Sequence, residues 1–324
     1  MSLLPPAEDH ASPVESATPP PADLTAAWAR EVNMALVGQP AVTEGLLVAL
    51  LAEGHVLMEG PPGSGKRLAS QALAASIGAE FSEAHMLERP ADGLSQGVWS
   101  PASAPAGEVR LLTGLHQASL GIQAKLAQAM DNAAVGRQPG TPGRQAPFMF
   151  IGSRQATDFT GALPLSEGLA DRFALSITLD FPSLDEEARL VREIALSAAA
   201  SMLDVATPEA VLNAIDLAAL RRRSREVKVA DALVAYAVSI VRATRFAPLL
   251  ATGASPRAAI ALIRCAQARA LLQGRGYSVA DDIKALAGAV LYHRVRLADA
   301  PRLDGLPLRQ ALSELLDQVA APRP

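Results

Sequence analysis

The chain has 324 residues, 29 Lys and Arg against 33 Asp and Glu, and a formal net charge of −4. Half of it is apolar, 4% is aromatic, and Cys265 is its one cysteine. These figures exclude a wholly disordered or collagen-like chain and argue against nucleic acid as the main target, because gripping phosphate backbones needs a basic surplus. They also exclude an internal disulfide and a cysteine zinc site. At roughly 100–200 residues per domain, two domains are expected. No apolar run approaches the ~20 residues of a membrane span. No secretory pattern marks Met1–Pro6, so a cytoplasmic location is expected.

In chain order, residues 1–22 are rich in proline, serine and alanine and read as a disordered tail. Asp23 is a candidate N-cap, and Leu24, Trp28, Val32 and Leu36 fall on one helical face. A second helix is expected over Ala41–Ala52, then a buried strand at His55–Glu59. A helix from Arg67 stops at Gly78, a natural residue to end on. Ala79–Gly107 reads as irregular. Val109–Thr113 reads as a strand, followed by a helix capped by Ser119 with Ile122, Leu126 and Met130 on one face. Phe148–Ile151 and Leu175–Leu179 are further strands. Strands alternating with helices predict an α/β domain with a mostly parallel sheet, over residues 23–183. From Leu184 to the end at 324 the pattern is helical throughout, so an all-helical domain follows. It includes the stripe Leu233, Tyr236, Ala237, Ile240 and Val241, and a helix capped by Ser255 with Pro256 at its first position. Ser278 with Asp281 resembles a capping box for another helix. The basic run Arg221–Arg225 is expected at a solvated helix end.

Between the first strand and the helix after it lies Gly60-Pro61-Pro62-Gly63-Ser64-Gly65-Lys66. Glycines at this spacing let successive backbone N–H groups turn inward around phosphate oxygens. The following helix adds the positive end of its dipole, and Lys66 would reach the outer phosphates. The pattern normally ends in Ser or Thr, whose hydroxyl binds Mg²⁺. Here the residue is Arg67, which cannot ligate a cation and could pair with a phosphate oxygen or point away.

Around this loop the chain resembles the MoxR branch of the AAA+ ATPases. The resemblance rests on Val37-Gly38-Gln39, on His55–Gly60 leading into the loop, and on Pro147–Phe173 with its closing Ala170-Asp171-Arg172-Phe173. It rests also on Thr252–Ala258, similar to the family's sensor 2 motif, and on His293-Arg294. It implies an AAA+ nucleotide-binding domain with ATP or ADP as ligand, and a helical lid. It further implies a homo- or hetero-oligomeric ring, often a hexamer, chaperone-like remodelling, and von Willebrand factor A-domain partners.

The same resemblance exposes losses. Where the family's Walker B strand ends in Asp-Glu, this chain has Thr113 and Gly114, and no acid occurs between Val109 and Met130. Glu108 lies at the other end of that strand. Sensor 1 asparagine is replaced by Gln155, in Gly152-Ser153-Arg154-Gln155-Ala156. Phosphoryl transfer depends on metal charge neutralisation and a positioned water, so very slow or absent hydrolysis is expected, with nucleotide binding less affected and use of Mg²⁺ in question. Two arginines carry implied roles. Arg257, in the first turn of a helix where the dipole disfavours a cation, would contact the γ-phosphate from the lid. Arg172 would act in trans on a neighbour's nucleotide, or else form a salt bridge to Asp171 or Glu167. The alternatives are an active Mg²⁺-dependent ATPase with neighbour-supplied groups and, third, a nucleic-acid-binding regulator.

Overall fold

The computed structural model describes residues 21–86, 108–136, 149–155, 165–195, 208–303 and 305–322. Of the tail expected over residues 1–22, residues 1–20 lie outside them, and Pro21 and Ala22 belong to the first helix instead, because the helix starts ahead of Asp23. Helix α1 spans Pro21–Ala35 and α2 spans Pro40–Leu51. Asp23 lies in the first turn of α1 rather than at its cap, where a carboxylate still favours the helix dipole. Trp28 and Val32 are fully buried, and Trp28 Nε1 donates to Ser76 Oγ at 2.9 Å.

The sheet elements follow: β1 (His55–Glu59), α3 (Lys66–Ser76), β2 (Glu80–His85), β3 (Glu108–Thr113), a 3₁₀ turn (Leu115–Gln117), α4 (Leu120–Gly136), β4 (Met149–Arg154), α5 (Glu167–Ala170) and β5 (Phe173–Thr178). All neighbours are parallel, in the order β2-β3-β4-β1-β5. Side chains alternate between the two faces of a strand. Val56, Met58, Val109 and Ile151 therefore face one apolar cluster, with α1–α3. Leu57, Leu112, Phe150 and Phe173 face a second, with Leu126 and Met130 of α4. Both faces are covered, as a parallel sheet requires. Strand β2 corrects the expectation that residues after Ala79 are irregular. It is an edge strand whose residues are all exposed or half-buried, so it carries no apolar run.

The helices after the sheet are α6 (Leu184–Ala195), α7 (Ala214–Glu226), α8 (Asp231–Phe246), α9 (Pro256–Leu272), α10 (Ala280–Leu291), α11 (Asp299–Leu303) and α12 (Leu308–Asp317). Leu233, Tyr236, Ala237, Ile240 and Val241 are buried, and Ser255 Oγ accepts from Arg257 N at 3.1 Å. This half is not purely helical: Leu250–Thr252 (β6) pairs antiparallel with Arg296–Leu297 (β7), strands too short to show a period of two. The capping carboxylate of α10 is Asp282 rather than Asp281. Its Oδ2 accepts from Val279 N at 2.9 Å, while Ser278 Oγ is buried without a partner. The basic run also departs from a solvated helix end, because Arg221 is buried and its Nε donates to Leu50 O at 3.0 Å. One apolar cluster extends from Trp28 through the sheet to Leu312, so the later helices share a core with the first face of the sheet. Among the described residues no helix is long and apolar enough to cross a membrane.

Candidate nucleotide site

Strand β1 lies between β4 and β5 and delivers Gly60 to the carboxyl edge of the sheet, where open α/β sheets bind ligands. Leu179 N donates to Glu59 O at 2.8 Å, which brings β5 against the start of the loop. Gly60 has φ +156°, and a Cβ there would lie 2.1 Å from Leu179 O, so only glycine fits. Gly63 and Gly65 have φ +82° and +92°, and a Cβ on either would meet nothing within 4 Å. Both glycines therefore border open space, and α3 begins at Lys66, where the first N–H groups of a helix have no partner within it. Lys66 Nζ folds onto the loop, donating to Gly60 O (2.9 Å), Pro61 O (2.7 Å) and Ser64 Oγ (3.1 Å). Burial holds its pKa below the ordinary lysine value. These ammonium contacts can be exchanged for phosphate oxygens, so Gly60–Lys66 fits a phosphate group.

The neighbouring strand ends do not fit a divalent cation. Thr113 closes β3, where its Oγ1 is hydrogen-bonded to His85 Nδ1 at 2.7 Å. Gly114 follows with φ +74° and opens the 3₁₀ turn. Arg67 turns aside to the edge strand, with Nε 3.3 Å from Glu83 Oε2 and its side chain 59% exposed. Gln155 directly follows β4 and is half-buried. Sequence reasoning missed the residue before it. Arg154 pairs across the β4–β1 register with Glu59, the residue preceding Gly60, and its Nε donates to Glu59 Oε1 at 2.8 Å. Its Nη2 donates to the same oxygen. Burial, then the Arg154 charge, hold His116 below the ordinary histidine pKa. Glu59 is thus committed to Arg154, while Glu83 is paired more loosely with Arg67. Glu108 is no substitute: it is buried at the amino end of β3 and paired with Arg110 at 3.1 Å. Burial chiefly, against the lowering effect of Arg110, raises its pKa.

Arg172 and Arg257 are brought together at the opposite edge. Asp171 and Arg172 precede Phe173, which pairs with His55 at the start of β1. They are a strand length, about 15 Å at roughly 3.3 Å per residue, from their own phosphate loop. The partner of Arg172 is neither Asp171 nor Glu167. Its Nε and Nη2 donate to the Asp131 carboxylate of α4 at 3.0 and 2.5 Å, and its Nη1 donates to Gly168 O. Arg257 Nη1 lies 4.0 Å from Asp171 Oδ2. Arg257 therefore stands beside Asp171 and not over the loop of its own chain. Asp171 also accepts from Ser255 Oγ at 2.9 and 2.8 Å and from Arg294 Nε at 3.1 Å, tying β5 to both lid motifs. An acid beside the first turn of α9 offsets the dipole that would otherwise oppose Arg257. Asp131, Asp171, Arg172, Arg257, Arg264 and Arg294 share one cleft.

Comparison with known proteins agrees with this architecture. A family model described as magnesium chelatase subunit ChlI matches residues 33–96, and one described as an AAA lid domain matches residues 242–315. The chain is 31% identical to the uncharacterized protein YeaC of Bacillus subtilis over 90% of its own length and 92% of that protein. It is 29% identical to the chaperone MoxR1 of Mycobacterium tuberculosis over 98% of its length and 89% of that protein. A crystal structure of a candidate ATPase from Cytophaga hutchinsonii superimposes with a TM-score of 0.78, at 24% identity, over 94% of this chain and 96% of that one, a likeness of fold. With the loop, the five-stranded parallel sheet and the lid motifs in these positions, the chain belongs to the MoxR family of AAA+ ATPases.

Proposed function

We propose that the chain is a nucleotide-binding, chaperone-like subunit of an oligomeric AAA+ ring whose own hydrolysis of ATP is very slow or absent. The observation that carries this reading is the composition of the carboxyl strand ends. Thr113 and Gly114 stand where two acids would be needed, and Glu59 and Glu83 are neutralised by Arg154 and Arg67. General-base assistance alone is worth about 10²–10⁴-fold in rate, and metal charge neutralisation adds to that, although such effects do not simply multiply. ATP or ADP is the expected ligand of Gly60–Lys66. The chaperone-like role follows the likeness to MoxR1. A von Willebrand factor A-domain protein is the expected partner through the family resemblance, and the cytoplasm the expected location.

A second reading is supported by Arg172 and Arg257. They sit together a strand length from their own loop, which suits them to a neighbouring subunit's nucleotide in a mixed ring. The test is phosphate release by the purified chain with Mg²⁺ATP, alone and mixed with an intact family member, against Lys66→Ala. The chain alone should release no more phosphate than Lys66→Ala does. Robust turnover abolished by Lys66→Ala refutes the first reading. In the mixture, stimulation of the active member that is lost in Arg172→Ala supports the second, and no stimulation refutes it.

A further inference from the structure

An arginine stands at the position after Lys66 and another holds the carboxylate before Gly60, and this suggests how phosphate charge is neutralised. Lys66 and Arg67 are consecutive at the start of α3, and Arg154 ends the strand beside β1. The two arginines are held differently. Arg154 donates from two nitrogens to Glu59, and both side chains of that pair are nearly buried, at 13% and 7% exposure. Among the described residues Arg67 has one ion-pair contact, at 3.3 Å, and its side chain is 59% exposed. A surface ion pair of that kind is weak, so the Arg67 guanidinium is free to exchange Glu83 for a stronger acceptor. In this structure it points toward Glu83 of the edge strand, but it directly follows Lys66 in the first turn of α3, so rotation of its side chain away from Glu83 is what would turn it toward a bound phosphate.

An approaching divalent cation would meet the Lys66 ammonium and the Arg67 guanidinium, with the Glu59 carboxylate held by Arg154. An approaching polyphosphate would meet Lys66, the exchangeable Arg67 and the N–H groups of the loop. Guanidinium groups suit this role because they present several donors to phosphate oxygens and remain charged at all ordinary pH values.

We propose that Gly60–Lys66 binds nucleoside di- or triphosphate without a divalent cation, with Arg67 leaving Glu83 to supply charge where the metal would stand and Arg154 keeping the Glu59 carboxylate from a metal. The inference rests on the reading of Gly60–Lys66 as a phosphate loop and adds that metal is dispensable for binding. No bond is made or broken; one ion pair is exchanged for another.

Calorimetric titration of the full chain with ATP and with ADP, in excess Mg²⁺ and separately in EDTA, tests it. Affinities in the two buffers should agree within about threefold, and Arg67→Ala should weaken binding roughly tenfold or more in EDTA, the loss expected for one charge-assisted hydrogen bond. Arg67 is mostly exposed, so this variant keeps the fold; a melting temperature equal to that of the unaltered chain checks this. Tenfold or greater tightening by Mg²⁺ overturns the inference and leaves nucleotide binding intact. An Arg67→Ala affinity equal to that of the parent overturns the role of Arg67. No heat in either buffer, or unchanged affinity in Lys66→Ala, overturns the phosphate-loop reading and the inference with it.

Discussion

Replacing Asp171 should loosen the attachment of the lid to the sheet. Its carboxylate accepts from Ser255 Oγ at 2.9 and 2.8 Å and from Arg294 Nε at 3.1 Å. Arg294 is only 3% exposed, and its remaining partners are carbonyl oxygens, including Phe173 at 2.6 Å and Ala174 at 3.0 Å. In Asp171→Ala the guanidinium would keep those dipoles and lose its contacting counter-charge. At an effective dielectric of ~20, two charges ~4 Å apart attract by about 4 kcal/mol, and breaking one side of a buried pair costs about 3–5 kcal/mol. Asp171 is 19% exposed, so part of its own desolvation is already avoided, which places the expected loss near the lower figure, about 3 kcal/mol. Asp171→Asn retains a neutral acceptor and should lose about 1–2 kcal/mol. Equilibrium urea unfolding measures both. The midpoint should fall with an unchanged slope, because sheet and lid share one apolar cluster and should unfold together. A loss below about 1 kcal/mol for Asp171→Ala would refute the pairing energetics.

Cys265 is fully buried and its thiol is pushed up to about 12, so a thiol-reactive dye should leave it unmodified at pH 8 until the chain is unfolded; rapid native labelling would contradict its placement. His293 is buried, with Nε2 2.9 Å from Phe173 O, and burial, then Arg294, hold its pKa well below 6.5. Its folded-state pKa is depressed, so the unfolded chain binds the proton first as pH falls through 6.5. Stability should then decline by up to about 1.4 kcal/mol per pH unit from this group, and His293→Gln should flatten unfolding curves measured between pH 7 and 5; an unchanged slope refutes this. Gly60→Ala sets a Cβ 2.1 Å from Leu179 O, so a melting temperature several degrees lower is expected, and an unaltered one would show that the loop relaxes freely.

The apolar skeleton was legible in the sequence because period and burial coincide there. Strand β1 is buried at every position, and the α8 stripe is buried as its spacing predicts. Strand β2 was hidden because Glu80, Glu83 and His85 sit on an open edge and break any apolar run. The loop and the missing acids could be read from local spacing. The Arg154–Glu59 pair could not, since it joins residues 95 apart and depends on the register of two strands. The position of Arg257 was equally hidden: its motif gives its residue type, whereas its distance from the loop is decided by where the lid packs. Arg172 found Asp131, an acid on α4 outside every motif.

The turn at Gly114 bears on any attempt to write an acid into the end of β3. With φ +74° its backbone is in a conformation that costs a side-chain-bearing residue about 1–2 kcal/mol. A glutamate written into this position would inherit that strain, or rebuild the 3₁₀ turn that leads into α4. Its carboxylate would also enter the field of Arg154, which already has a partner. Placing acids at this strand end is therefore a problem of backbone design as well as of residue choice, and a variant carrying only Thr113→Asp and Gly114→Glu would supply the carboxylates without the backbone geometry to aim them.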